Sequence, residues 1–129
     1  MSSAESQITE LIHASAEIDP EGTFFRDNST PDFKFIRPSG NPVDSQQFAD
    51  MFASGDVVVT RSAMGELYKL DVFGDVAFCA YGQSATFTYK GTPNEDNFVI
   101  SGLLKLVEGQ WKFAWLQRST GNADRALWS

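Results

Sequence analysis

The sequence predicts an α+β domain in which N-terminal helices pack on a curved, mainly antiparallel sheet. Helical hydrophobic periodicity is confined to residues 1–55, whereas residues 57–120 alternate with a period of two and are rich in β-branched and aromatic side chains. Turn-forming segments divide this second part into strands whose connections are too short for crossover helices. Because 129 residues is a common domain size, we predict one domain over residues 1–129.

The first predicted helix is Ser3–Ile18. Ser2 and Glu5 have the spacing of a capping box, and apolar residues then recur on one helical stripe. The turn-forming segment Asp19–Gly22 ends the helix, because its proline disfavours a helical conformation at the preceding residue.

Shorter elements follow the first helix. We predict a short second helix at Thr23–Arg26, a loop at Asp27–Asp32 and a short strand at Phe33–Arg37. The segment Pro38–Pro42 contains two prolines and a glycine, so it predicts a sharp reversal of the chain.

A further helix begins after Asp44. Asp44 and Gln47 are spaced as an N-cap and third helical residue, and Val43 and Phe48 are spaced as a hydrophobic staple. Gly55 is placed to end this helix.

The second part of the chain predicts four long strands joined by tight hairpins. The predicted strands are Val57–Leu70, Val72–Lys90, Asn97–Val107 and Gln110–Thr120, with reversals at Phe73–Asp75 and Val107–Gln110.

Alternation along the last strand predicts which side chains share a face. One face carries Trp111, Phe113, Trp115 and Gln117; the other carries Lys112, Ala114, Leu116 and Arg118. Apolar residues therefore occur on both faces, and Leu103 and Val107 add to the second one. A homodimer through that second face is the simplest explanation.

The charge balance excludes some partners. Seventeen acidic and ten basic residues give a formal net charge of −7, and the basic residues are scattered. Phosphate backbones and anionic membrane surfaces are repelled by such a protein, so we predict no nucleic-acid or membrane partner.

The chain has one cysteine, Cys79, and one histidine, His13. An internal disulfide is thus excluded, a zinc site is disfavoured, and no metal or cofactor is predicted. Cys79 lies in an apolar run, which favours a buried packing role over nucleophilic catalysis. The N-terminus lacks a secretory signal and no stretch is long enough to span a bilayer, so we expect a cytoplasmic protein.

Three segments carry a family resemblance: Arg37–Gly40 at the end of a strand, the hairpin Val72–Ala77 and the hairpin Glu108–Lys112. With the order of elements, they make nearly the whole chain resemble the nuclear transport factor 2-like superfamily, particularly its ketosteroid-isomerase-like and polyketide-cyclase-like (SnoaL-like) members. The resemblance implies a cone with a cavity between the helices and the concave sheet face, and frequent dimerisation through the outer face. Such cavities bind small, often apolar molecules.

The resemblance does not extend to a known reaction. In ketosteroid isomerases the catalytic base directly precedes a Pro-x-Gly turn, where this chain has Arg37, and a guanidinium stays protonated and cannot act as a base. Kinase association domains and their relatives have a His-x-Ser-like pattern at the end of the last strand. Here Gln117–Thr120 keeps Ser119 but has no histidine.

Three cavity-lining candidates come from the predicted strands. Arg37 would bind a carboxylate or enolate at the cavity mouth; the alternative is a turn arginine paired with Asp32 or Asp44. Tyr68 and Tyr81 would present hydroxyls to a ligand, unless they pack with the hydroxyl in water.

Three further candidates lie on strand faces. Trp115 would form an apolar wall of the cavity, although core packing is the alternative, and Gln117 would be a polar anchor. Glu66 aligns with Met64 and Tyr68 and is the one carboxylate candidate for a buried base.

Three hypotheses of function follow. The first is a pocket that binds or transforms a small apolar or carbonyl-bearing metabolite. The second is an assembly domain whose cavity is filled by aromatic side chains and whose outer sheet face is the working surface. The third is an isomerase, cyclase or dehydratase with Glu66 or another carboxylate as base. The sequence leaves open whether the protein is an enzyme.

Overall fold

The computed structural model describes residues 3–128, in which helices cover one face of a six-stranded sheet. The helices are α1 (Ala4–Ser15), α2 (Phe24–Asn28), α3 (Ser45–Ala53) and a C-terminal 3₁₀ helix (Arg125–Trp128). The strands are β1 (Ser29–Ile36), β2 (Pro42–Val43), β3 (Val57–Phe73), β4 (Val76–Tyr89), β5 (Thr92–Val107) and β6 (Gln110–Thr120). None of the helices in this part of the chain has the length and apolar character needed to cross a membrane.

Side chains cap the two longer helices. The Ser3 hydroxyl accepts a hydrogen bond from the Ser6 amide at 3.1 Å, while the predicted cap Ser2 lies outside the described residues. The capping box of α3 is confirmed. The backbone amide of Gln47 donates to the Asp44 carboxylate at 2.7 Å, and the backbone amide of Asp44 donates to the side-chain oxygen of Gln47 at 2.9 Å. Each helix start is thus encoded locally.

The strand order is β2-β1-β6-β5-β4-β3, and only the β1–β6 pair of this sheet is parallel. The two predicted hairpins are confirmed, with turns at Gly74–Asp75 and Glu108–Gly109. A third turn, Lys90–Gly91, has φ angles of 50° and 82°. Two successive residues of positive φ match the twist of an antiparallel pair, which explains this tight connection.

Element boundaries near the N-terminus differ from the prediction. Helix α1 ends at Ser15 rather than Ile18, and α2 is Phe24–Asn28 rather than Thr23–Arg26. Strand β1 begins at Ser29 rather than Phe33, so the loop predicted at Asp27–Asp32 is wrong. The pairing of β1 with β6 is irregular between Ser29 and Lys34, so this stretch lacks the regular alternation that predicts a strand.

Strand β5 begins at Thr92 rather than at the predicted Asn97. The early part contains Pro93 and polar residues, which are typical of loops. It pairs with β4 on one side only, because β6 ends at Thr120, opposite Phe98. A proline is tolerated in a strand at such an edge.

A β-bulge interrupts the β5–β6 pairing. Leu103 pairs with Trp115 whereas the next residue, Leu104, pairs with Phe113, so Ala114 is an extra residue in β6. Side chains before and after Ala114 therefore follow opposite alternations.

The bulge corrects the predicted faces of β6. Trp115 is 44% exposed and Gln117 is also exposed on the outer face, so the expectation that they share the concave face with Trp111 and Phe113 is wrong. Leu116, expected on the outer face, is fully buried in the core. A one-residue shift moves every following side chain to the other face.

An aromatic cluster joins the helices to the sheet. The ring of Phe25 in α2 stacks on Phe33 of β1 at 5.2 Å and meets Phe113 of β6 and Phe48 of α3 edge-on at 5.6 and 5.0 Å. Rings at these distances add to the free energy of burial. The cluster thus anchors α2 and α3 over β1 and β6.

Gly102 allows the close approach of strands beside the bulge, because a Cβ at this position would overlap the carbonyl oxygen of Trp115. We predict that Gly102→Ala lowers the free energy of unfolding by roughly 3 kcal/mol, measured by urea denaturation. Gly65→Ala is the matched control, because its Cβ would lie 3.4 Å from the nearest atom, an ordinary contact. Equal stability of the two variants would contradict this role of Gly102.

Candidate functional site

A cavity of about 390 Å³ lies between the helices and the inner face of the sheet. Its wall is mainly aromatic and aliphatic and draws on all three α-helices and on strands β1, β3, β4, β5 and β6. The aromatic wall includes Phe24, Phe35, Phe48, Phe52, Phe87 and Phe98. The lining residues Glu17, Ile18, Pro38 and Ser39 are exposed and form its rim.

The aromatic side chains line this cavity but do not fill it. Phe48 packs on Phe25 and Phe52, with ring centroids 5.0 and 5.1 Å apart, so these rings contact each other at one side of the space. The expectation of the assembly hypothesis, a cavity closed by Phe and Trp side chains, is therefore wrong.

Arg118 is the cation of the inner wall. Its Nη2 donates to Asp96 Oδ2 at 2.9 Å, and its guanidinium carbon lies 4.0 Å from the centre of the Phe98 ring and 5.5 Å from that of Phe87. The side chain is only 17% exposed. Burial lowers the pKa of Arg118, and the neighbouring Asp96 carboxylate opposes this effect.

The remaining donors of Arg118 are unused within the described residues. Its Nε is buried without a hydrogen-bond partner there, and Nη1 makes no hydrogen bond to that part of the chain. Nη1 keeps some exposed surface and Arg118 lines the cavity, so we expect Nη1 to be the donor that an acceptor oxygen in the cavity meets.

Neutral polar groups also lie in the wall. Gln83 Nε2 donates to Ser62 Oγ at 3.0 Å, which links β4 to β3 across the sheet. The Tyr81 hydroxyl lies 3.5 Å from Ser15 Oγ, which itself donates to the Ile12 carbonyl. Burial raises the pKa of Tyr81, which therefore stays protonated.

Tyr81 lies in the wall as predicted, but its side chain exposes no surface. Its role in binding remains a prediction.

Arg37 lies at the rim of the cavity, and it also stabilises a turn. Its Nε donates to the Asn41 carbonyl at 3.2 Å. The alternative ion pairs are absent from the described residues: Asp44 caps α3, and Asp32 accepts a hydrogen bond from Thr30 at 2.7 Å, which lowers the pKa of Asp32. Both readings of Arg37, rim residue and turn residue, thus fit its position.

Tyr68 and Glu66 lie outside the cavity. The Tyr68 ring stacks on Trp128 at 5.1 Å, and Glu66 is 60% exposed and pairs with Arg125 at 3.0 Å. The expectation of a buried Glu66 base is wrong because β3 has three register shifts, which break the assumed alternation. The carboxylates that do line the cavity in the described chain are Glu17 at the rim and Asp19, whose Oδ2 accepts from the Phe24 amide at 2.8 Å.

Sequence reasoning missed Arg118 and Asp96. Alternation places Arg118 on the outer face because nothing in the sequence marks a bulge at Ala114. Asp96 precedes the predicted strand start at Asn97, although Asn94, Asp96 and Phe98 continue the alternation of that strand, which is a usable signal.

Cys79 is a core residue, as predicted. It is fully buried, and burial raises the pKa of its thiol to about 12. Within residues 3–128, no three His, Cys, Asp or Glu side chains are grouped so that they could hold a metal ion.

The sequence of residues 3–129 matches the family described as protein of unknown function (DUF3804). The chain belongs to this family. A solved structure of an NTF2-like (nuclear transport factor 2-like) protein of unknown function from Prochlorococcus is 40% identical, with a TM-score of 0.87 over 98% of this chain and 100% of that one. No curated protein matches the sequence.

More distant structures share the fold alone. An NTF2-like protein from Cytophaga hutchinsonii is 16% identical, with a TM-score of 0.71 over 91% of this chain and 92% of that one. A ketosteroid isomerase-like protein from Erwinia carotovora is 18% identical, with a TM-score of 0.65 over 92% and 94%. The predicted α+β, nuclear transport factor 2-like fold is confirmed.

The burial of Cys79 has a measurable consequence. We predict that the native thiol reacts with Ellman's reagent at pH 8 at least about a hundredfold more slowly than the thiol introduced by Ala63→Cys, because little thiolate forms and access is blocked. Both thiols should react rapidly in denaturant. Fast labelling of native wild-type protein would show that Cys79 is accessible.

Proposed function

We propose that the protein binds a small, largely apolar molecule that carries a carbonyl group. The observation that carries this proposal is the cavity of about 390 Å³, whose aromatic wall contains one inner guanidinium, Arg118, with unused donors. Ligand pockets typically measure roughly 300–1,000 Å³ and combine an apolar wall with a few polar groups.

The aromatic wall supplies binding energy without direction, because burial of apolar surface is non-directional. Arg118 supplies the direction. An oxygen placed at Nη1 gains a charge-assisted hydrogen bond in a site of reduced water content, where such bonds are stronger than in water. Gln83 and Ser62 offer further weak contacts.

We propose that the protein binds a ligand, without catalysis by a carboxylate base. Glu66 is exposed and paired outside the cavity, and Arg37 stands at the position that the resemblance assigns to the base. Of the acids that line the cavity in the described chain, Glu17 is exposed at the rim, and Asp19 accepts a hydrogen bond from the Phe24 amide at the start of α2. We place the protein in the cytoplasm, where a lone thiol stays reduced.

Neighbouring valines of β3 provide a matched test. Val59 lines the cavity, whereas Val58 is exposed and belongs to the opposite face. We predict that the fluorescent naphthalene ketone prodan binds the wild-type protein with a blue-shifted emission, and that Val59→Trp weakens this binding at least about tenfold by filling the cavity. Affinity is measured by fluorescence titration.

Val58→Trp adds the same side chain outside the cavity and should bind prodan like the wild type. Thermal unfolding checks that both variants are folded. Absence of prodan binding to folded wild-type protein, or equal affinities of the two variants, would refute a ligand site in this cavity.

We further propose a homodimer through the outer face of the sheet. Leu103 and Trp115 are paired across β5 and β6 and are 39% and 44% exposed, and Phe78 pairs with Leu103 from β4. The described chain covers this row of apolar side chains only in part, and large exposed aromatics are enriched at protein interfaces. Leu116, which alternation alone places on the outer face, is buried and does not contribute to this surface.

Trp115→Glu should shift wild-type dimers to monomers, weakening association by roughly thirtyfold or more, because a central tryptophan is a typical interface anchor. Sedimentation equilibrium measures the change. Ile18→Glu is the control, since Ile18 is 47% exposed at the cavity rim. A wild-type protein that stays monomeric at high micromolar concentration would disprove the dimer.

A further inference from the structure

The Arg118–Asp96 pair bears on the kind of ligand that the cavity accepts. We infer that Asp96 is a specificity-determining residue, which makes the cavity favour neutral carbonyl compounds over carboxylates of the same shape. The inference rests on the proposed ligand site and concerns the chemistry of its polar end.

The surroundings of the guanidinium limit how a ligand can bind to it. One face of Arg118 lies on the Phe98 ring at 4.0 Å, Nη2 is held by Asp96 at 2.9 Å, and Nε is enclosed. Nη1 remains accessible. The fork of Nε and Nη2 is therefore closed to a ligand carboxylate, and a carboxylate that binds bidentately through Nη1 has to share Nη2 with Asp96.

The charges of Arg118 and Asp96 also disfavour a carboxylate ligand. Asp96 neutralises Arg118, so this ion pair adds no net charge to the cavity wall. A ligand carboxylate at Nη1 would bind the same guanidinium as the Asp96 carboxylate. Two carboxylates so close together repel each other strongly where water is scarce.

The wider surroundings add to this preference. The rim carries two acids, Glu17 and Asp19, against one base, Arg37, and the whole chain has a formal charge of −7. An anion is therefore disfavoured on its approach as well as at Nη1. A neutral carbonyl oxygen accepts the Nη1 hydrogen bond without these penalties.

The edge extension of β5 is what places Asp96 beside Arg118. Asp96 pairs with Ala85 in β4, beyond the end of β6, and Arg118 extends from β6 across Phe98 to reach it. Asparagine at this position keeps the size of the side chain and an oxygen that accepts from Nη2, and removes the charge alone.

The test compares naphthoate with its methyl ester as competitors of prodan, on the wild type and on Asp96→Asn. The wild type should bind the ester at least about tenfold more tightly than the acid. Because the ester is also more apolar, the deciding quantity is the change in the ratio of the two dissociation constants. Asp96→Asn should tighten naphthoate binding about tenfold and change ester binding less than about threefold.

Asp71→Asn is the matched control. Asp71 pairs with Lys69 at 2.8 Å outside the cavity, so this variant changes the net charge equally at a distance where salt screens the effect. Its ratio should equal that of the wild type.

Two results separate this inference from the function on which it rests. A ratio that Asp96→Asn leaves unchanged, or a wild type that prefers naphthoate, overturns the selectivity and leaves the ligand site in place. Failure of prodan and both naphthalene compounds to bind folded wild-type protein overturns both.

Discussion

The close approach of β5 and β6 at Gly102 and the bulge at Ala114 beside it govern how the two halves of the sheet face the helices. Before the bulge, Trp111 and Phe113 face inward; after it, Leu116 and Arg118 do. Without the extra residue, Arg118 would lie on the outer face and the cavity would lose its inner cation. By shifting the register by one residue, the bulge thus determines which side chains of β6 line the cavity.

Placing Arg118 there is costly, because burial removes water from a charge and leaves Nε without a partner in the described chain. Asp96 and the Phe98 ring offset part of this cost through an ion pair and a cation–π contact. An apolar residue would pack in this wall without such a penalty. A buried cation with unused donors is therefore more readily explained by ligand binding than by stability.

The aromatic residues divide into two roles according to their partners. Phe25 contacts rings from β1, β6 and α3 and fixes the helices to the sheet, whereas Phe87 and Phe98 lie in the cavity wall under Arg118. Trp115 belongs to neither group, because the bulge turns it to the outer face. The same bulge therefore exposes Trp115 on the outer face and turns Arg118 into the cavity wall.

The sequence by itself determined the elements whose signals are local: the capping box at Asp44 and Gln47, the reversals at Gly74–Asp75 and Glu108–Gly109, and hence the α+β class. It also placed Arg37 at the cavity and Cys79 in the core. Only the tertiary structure decided the inward-facing residues of the site, since bulges in β3 and β6 depend on how neighbouring strands fit together. Alternation is a local pattern and register is a property of two paired strands, so Glu66, Trp115 and Gln117 could not be assigned correctly, and Arg118 could not be recognised, before the pairing was known.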